Sequence, residues 1–188
     1  PPDWDDWGFF AAQAPGYSTT TLPNGYAKKI PAGATVYIEM HYSPRGKPDV
    51  DQTKVGFHLA RGENFKEAHT LGLGSRDFTI PAGAPDYRIQ KQHRFAAPIT
   101  LFGIYPHGHY RAKNFRLTAE VPGGEKETLI WVPNYDVAWQ NYYKLAQPKR
   151  FPAGTVFTCD GVYDNSHRNP RNPNPLNPVS WGPRTEDE

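Results

Sequence analysis

Two histidines one residue apart are the residues of this sequence best suited to metal chemistry. His107 and His109 follow the apolar run 99–105 and precede the alternating segment 113–121. In an extended backbone the side chains at i and i+2 project from the same face, so both imidazoles can reach one ion. Neutral imidazole suits copper and zinc best among the common metal ions. The spacing therefore predicts half of a metal site, which is incomplete without a third ligand.

Other catalytic chemistries have little support in this sequence. It contains no G-x-S-x-G motif and no phosphate-binding glycine loop, which argues against a hydrolase or a nucleotide-binding protein. Cys159 is the only cysteine, so an internal disulfide is excluded. Among the remaining histidines, His93 and His167 are the two that folding could bring to the site as a third ligand.

The elements that position the histidine pair are predicted to be strands. Aromatic residues make up 14% of the chain, which also contains 17 Gly and 20 Pro, a composition typical of short strands joined by tight turns. Alternation of apolar and polar residues predicts strands at 35–42, 54–60, 87–95, 99–105, 115–121, 128–132, 136–146 and 156–163, with a short helix as the alternative at 136–146. A Pro-x-Gly turn is expected to start a strand three times, at 30–34, 80–84 and 151–155. We therefore predict an all-β fold, an antiparallel jelly-roll β-sandwich.

Charge and hydropathy argue against some classes of partner. The formal net charge is +2, and the basic residues are scattered among acidic ones, so nucleic acid is not expected as a partner. No apolar stretch approaches the roughly 20 residues that a membrane span requires. The aromatic residues near the start of the chain, Trp4, Trp7, Phe9, Phe10 and Tyr17, form an arm suited to holding a sugar or a neighbouring subunit, or to half-exposed packing.

Four segments in a fixed order resemble one enzyme family. They are Val36-Tyr37-Ile38-Glu39-Met40-His41-Tyr42, Val55-Gly56-Phe57-His58-Leu59-Ala60, the pair His107 and His109, and the ending Trp181-Gly182-Pro183-Arg184-Thr185-Glu186-Asp187-Glu188. Together they resemble the copper type II, ascorbate-dependent monooxygenases, which include peptidylglycine α-hydroxylating and dopamine β-monooxygenases. The resemblance covers about residues 30–188, is closest to bacterial members of unassigned substrate, and is to the C-terminal copper domain of the family.

The resemblance implies roles for individual residues. His107 and His109 match the two histidines that hold the catalytic copper. His41 matches the histidine that completes a second, electron-transfer copper, whose other two ligands are a His-His pair in a preceding domain; this sequence has no such pair. The family's catalytic copper also takes a methionine directly after the position matched by Glu188, and the only methionine here is Met40.

The resemblance also implies the wider organisation. Residues 1–50 are expected to be an aromatic arm and linking strand that resemble the end of a preceding sandwich domain, and 51–188 the jelly-roll copper domain. We expect a copper cofactor, hydroxylation of a C–H bond by O₂, a preceding copper domain or redox subunit as partner, and a periplasmic or secreted location. The alternatives are a processed or excised segment, a subunit whose partner supplies the other domain, and a non-catalytic β-sandwich module of a larger assembly.

Overall fold

The chain forms an all-β structure. A computed structural model describes residues 9–13, 21–42 and 46–188, and these contain no helix. The strands are β1 Tyr26–Ala27, β2 Lys66–Glu67, β3 Thr79–Ile80, β4 Tyr87–Arg94, β5 Ile99–Ile104, β6 Ala112–Glu120, β7 Lys126–Val132, β8 Tyr143–Phe151, β9 Val156–Tyr163 and β10 Val179–Ser180. Accordingly, none of the described residues lies in a helix that could cross a membrane.

Most of the sheet structure is antiparallel. The largest sheet has the strand order β4-β9-β6-β7, and β5 pairs with β8 in a separate two-stranded sheet. Strands β3 and β10 form a further antiparallel pair, whereas the short β1 and β2 are parallel. The connection from β5 to β6 therefore leads from the two-stranded sheet to the four-stranded one, and this connection carries His107 and His109.

A small aromatic core lies between these two sheets. Phe157 on β9, Ala119 on β6 and Phe151 on β8 are buried and form one cluster. The two phenylalanine rings meet edge to face with centroids 5.1 Å apart, a favourable aromatic geometry. Apolar side chains of β5 and β7 pack around them, including Leu101 and Leu129. The predicted antiparallel β-sandwich character is confirmed, and jelly-roll topology stays a prediction.

The chain divides into two compact units. Leu71–Glu188, together with the described residues before Leu22, form the unit that contains the sandwich, and Leu22–Thr70 form the other. The predicted boundary after residue 50 rests on the family resemblance and not on contacts within the chain, and it stays a prediction. Of the predicted aromatic arm, Trp4, Trp7 and Tyr17 lie outside the described residues.

Most strand predictions agree with the structure in the first unit, and both failed in the second. Strand β9 has the predicted bounds, β4 and β5 lie within the predicted segments, and β6 and β7 overlap theirs. Neither 35–42 nor 54–60 is a strand. Their apolar side chains are exposed, as in Leu59 at 82%, and alternation alone does not form a strand without a hydrogen-bonded neighbour.

The segment 136–146 was also predicted imprecisely. Its first half is a turn in which the Trp139 amide donates to the Asp136 carbonyl over 2.8 Å, and β8 begins only at Tyr143. The Asp136 carboxylate accepts a second bond from the Ala138 amide, an Asx turn that competes with strand geometry. The chain between β7 and β8 is consequently a loop, and this loop borders the histidine pair.

Candidate metal centre

The connection between β5 and β6 brings the two predicted ligands together. The rings of His107 and His109 have centroids 5.2 Å apart and lie nearly perpendicular, at 87°. His107 is exposed, whereas His109 is 8% exposed. The pair therefore has one imidazole at the surface and one in the protein interior.

Gln140 selects the tautomer of the His107 imidazole. The His107 Nδ1 atom lies 2.6 Å from the Gln140 side-chain oxygen, and the Gln140 amide nitrogen donates to the Val137 carbonyl over 2.9 Å. The second bond orients the amide, so its oxygen faces the imidazole and accepts a hydrogen bond from the Nδ1–H group. The lone pair of the neutral ring is then on Nε2, which is the form of histidine that binds a metal.

His109 has a buried polar atom that needs a partner. Its Nδ1 makes no hydrogen bond with any described residue, and the closest charged atom is Oε1 of Glu188, 3.4 Å away. Both side chains are less than 10% exposed. The second Glu188 oxygen accepts from the Gly182 amide over 3.0 Å, which fixes the carboxylate. A metal ion or a proton directed at Glu188 would satisfy this nitrogen, and leaving it unsatisfied costs about 1–3 kcal/mol.

Gly108 is enclosed on both sides. A Cβ atom there would lie 2.6 Å from the Ala112 Cβ and 2.8 Å from the Phe115 ring, closer than any side chain tolerates. The Tyr135 hydroxyl accepts from the Gly108 amide over 3.0 Å and donates to its carbonyl over 2.8 Å. Burial raises the pKa of Tyr135, so its hydroxyl stays protonated and remains a donor. The backbone between the two histidines is therefore held in one position.

Arg111 connects the histidine turn to the last residues of the chain. Its guanidinium, on a residue only 3% exposed, donates to Oδ1 of the fully buried Asn165 over 2.8 Å and to the carbonyls of Glu186 and Asp187. Burial lowers the pKa of Arg111, and the nearby carboxylates of Asp187 and Glu188 oppose that shift. These bonds keep Glu188 beside His109.

Asn165 is the centre of a second set of bonds. Its amide nitrogen donates to the carbonyls of Pro81 and Asn177, and its oxygen also accepts from Asn172. These bonds hold the tract 164–178 to the segment around Pro81 and join residues within the tract. A side chain with this many partners is typical of a buried structural asparagine.

Sequence reasoning missed every supporting residue of this centre. Gln140, Tyr135, Arg111, Asn165 and Glu188 come from four different parts of the sandwich unit and form no motif of regular spacing. Glu188 belongs to the ending that carries the family resemblance, which is the one sequence signal that points to this contact.

The remaining candidate ligands lie elsewhere. His41 is on an exposed segment of the other unit, with its Nε2 atom 2.8 Å from a Glu39 carboxylate oxygen. His93 contacts the Phe95 ring edge to face, and His167 is exposed. Within residues 9–13, 21–42 and 46–188, no group of three or more His, Cys, Asp or Glu could hold a metal ion. Among the described residues, His, Cys, Asp and Glu therefore do not supply the third ligand predicted for the pair.

No known family or curated protein matches this chain. The function must therefore be argued from the centre itself.

Proposed function

We propose that this chain is a copper-binding β-sandwich domain, in which His107 and His109 hold one copper ion, and that it resembles the catalytic domain of the O₂-dependent copper monooxygenases. The observation that carries the proposal is the paired arrangement of the two imidazoles, one with a fixed tautomer and one with a buried nitrogen that lacks a hydrogen bond.

The distance between the rings supports a shared ion. Two imidazoles that bind one metal at about 2.0–2.1 Å, at tetrahedral or right-angled positions, have centroids roughly 4.5–5.5 Å apart. The 5.2 Å separation of His107 and His109 falls in this range. Two imidazole nitrogens suit copper, and Gln140, which binds the other ring nitrogen of His107, is the kind of outer partner that orients a ligating histidine.

The contact between His109 and Glu188 supports the family resemblance. Two segments that carry the resemblance, the histidine pair and residues 181–188, are far apart in sequence but contact each other here. The donor set within the described residues is two nitrogens, so the proposed copper takes its remaining ligands from outside this set.

Each residue of the centre then has a defined task. When bound, copper would supply the activation of O₂ for hydroxylation of a C–H bond, with electrons from a preceding copper domain or a redox subunit. Gln140 keeps the His107 lone pair on Nε2, Tyr135 holds the intervening backbone, and Arg111 keeps Glu188 against His109. His41 joins a second copper only when a partner brings two further histidines, and the proposed location is periplasmic or extracellular.

Copper stoichiometry and spectroscopy on the purified chain test the proposal. We expect close to one type II copper per chain, lost in His107→Ala and in His109→Ala. Gln140→Ala should weaken copper binding about 10-fold to 100-fold, the usual effect of removing an outer partner of a ligating histidine. His58→Ala, an exposed histidine of the other unit, is the matched control and should bind copper like the unaltered chain. Absence of stoichiometric copper from the unaltered chain would refute the proposal.

A second candidate function is that of a non-catalytic interaction module. Residues 35–42 alternate like a strand but have exposed apolar side chains, among them Tyr37 at 67% and Ile38 at 56%. Such a segment is suited to adding a strand to another polypeptide. We expect its backbone amides to exchange hydrogen rapidly in the isolated chain and to become protected in a larger assembly. Slow exchange in the isolated chain would exclude this role, because the segment would already be paired.

A further inference from the structure

A cleft borders the histidine pair and has its own chemistry. It has a volume of about 300 Å³ and lies between Pro106, which precedes His107, and the loop that joins β7 to β8. The same loop contains Gln140, which binds His107, and Tyr135, which binds Gly108. This loop therefore both supports the histidine pair and supplies part of the lining of the cleft.

The cleft has no charge available for an ionic ligand. Its one charged lining residue is Asp136, and both carboxylate oxygens accept hydrogen bonds from the Arg171 guanidinium. The ion pair neutralises both side chains, and the partnership with Arg171 lowers the pKa of Asp136 to about 2. A charged ligand would have to disrupt this pair or remain without a counter-ion, so the cleft suits an uncharged one.

The walls of the cleft combine aromatic faces with amide groups. Trp139 is 67% exposed and Tyr143 is 39% exposed, so both present ring surface to the solvent side of the cleft. Asn134 and Asn141 also line it and bring side-chain amides to the cleft. An amide donates and accepts, which is the complement of a hydroxyl group. A purely aromatic ligand would bury these amides without partners, at a cost in affinity.

We propose that this cleft binds an uncharged carbohydrate, with a pyranose ring against Trp139 and its hydroxyl groups on Asn134 and Asn141. A cleft of about 300 Å³ is at the small end of the range for ligand sites, so it holds one or two sugar rings and leaves a longer chain to extend outward. The role of the cleft as the substrate site of the copper domain rests on the proposed function. The binding of the sugar itself does not depend on copper.

Saturation-transfer NMR on the full chain, with metal removed by chelation, tests the assignment separately from the copper proposal. The probes are the methyl glycosides of glucose, galactose and mannose, and cellobiose. We expect saturable binding of at least one of them, weakened between about threefold and tenfold in Trp139→Ala by loss of the stacked ring. Asn141→Ala should weaken it as well. Trp131→Ala is the matched control, because this half-exposed tryptophan is stacked by Arg116 and does not line the cleft.

Three outcomes would overturn the assignment. The first is no saturable binding of any of these sugars, or binding that Trp139→Ala leaves unchanged. The second is tighter binding of 2-phenylethanol than of every sugar, which would make the cleft an aromatic site. The third is equal binding of methyl glucuronide and methyl glucoside, which would contradict the preference of the cleft for an uncharged ligand. Sugar binding in a chain that takes up no copper would support the cleft and refute the metal site.

Discussion

Two of the histidine motifs that carry the family resemblance lie in very different surroundings. His107 and His109 belong to a connection whose side chains and backbone are held by Gln140, Tyr135 and Arg111. His41 lies on an exposed segment and pairs with Glu39, two residues away. A ligating histidine needs partners that fix its ring; those of the first motif come from distant parts of the chain, whereas the one partner of His41 is a neighbour on the same exposed segment. The first motif therefore presents two imidazoles on a fixed backbone, whereas the second presents one imidazole on an exposed segment.

Removal of the Arg111 side chain should have the largest effect on the surroundings of the first motif. Arg111→Ala deletes three hydrogen bonds from a buried guanidinium and leaves the Glu186 and Asp187 carbonyls without that donor. We expect a loss of about 3 kcal/mol in the free energy of unfolding, measured by urea denaturation, because buried partners of a charged group lose their bonds. The last residues of the chain should also become sensitive to limited proteolysis.

The control for Arg111 is another arginine of the same strand region. Arg116 is exposed and stacked on Trp131, so Arg116→Ala should change the free energy of unfolding by about 1 kcal/mol or less. Equal losses in the two variants would mean that Arg111 is not the residue that holds the C-terminal segment to the histidine turn.

Adding one methyl group tests how tightly the first motif is enclosed. In Gly108→Ala the new Cβ meets Ala112 and Phe115, so we expect a loss of about 1–3 kcal/mol in the free energy of unfolding. Copper affinity should fall with it, since the backbone between the two ligands must move. In Gly56→Ala, in the other unit, the new Cβ has open space, and the free energy of unfolding should stay within about 0.5 kcal/mol. A large effect at Gly56 would show that segment 54–60 is packed in solution.

The sequence predicted strands well only where a neighbour was present. The segment 156–163 became β9 with the predicted bounds, paired on both sides by β4 and β6. The segment 35–42 has an equally regular alternation and is not a strand. A Pro-x-Gly turn precedes each of them, with positive φ at Gly154 (85°) and Gly33 (76°). Turn chemistry is local and predictable, whereas strand formation depends on a partner that the local pattern does not contain.

The candidate site was likewise predictable only in part. The proximity of His107 and His109 follows from their spacing along an extended backbone, so it could be predicted. The contacts of Gln140 and Glu188 with these histidines depend on the path of two long connections, which no periodicity specifies. The buried Asn165 was equally invisible, because an Asn-rich, Pro-rich tract reads as exposed loop until its tertiary partners are known.

Acid should loosen the loop that joins β7 to β8 before it affects the rest of the sandwich unit. The bonds from Arg171 lower the pKa of Asp136 to about 2 from an ordinary 3.8, so the ion pair stabilises the fold above pH 4 and is lost between about pH 4 and 2. We expect sugar binding to be constant from pH 5 to 8 and to decline below pH 4. Because Asp136 is half exposed, the accompanying change in the free energy of unfolding should be small.

An uncharged variant provides the comparison for this pH effect. Asp136→Asn cannot titrate, so the decline below pH 4 should be absent from its binding curve, at the cost of weaker binding throughout because the bidentate bond to Arg171 is lost. A decline of the same size and midpoint in this variant would assign the acid effect to another group.

The smallest expected effect belongs to the second motif. His41→Ala removes an exposed side chain whose partner, Glu39, is itself half exposed, so the free energy of unfolding should change by about 0.5 kcal/mol or less. Copper binding at His107 and His109 should also be unchanged in the isolated chain, measured by the same stoichiometry and spectroscopy. If His41→Ala instead lowered the copper content as far as His109→Ala does, the two motifs would serve one ion, and the contrast between the supported pair and the single exposed histidine would be wrong. If it lowered copper content only after a partner protein was added, the second site would be shown to form from two polypeptides, because a single exposed imidazole supplies one ligand where tight binding needs at least three.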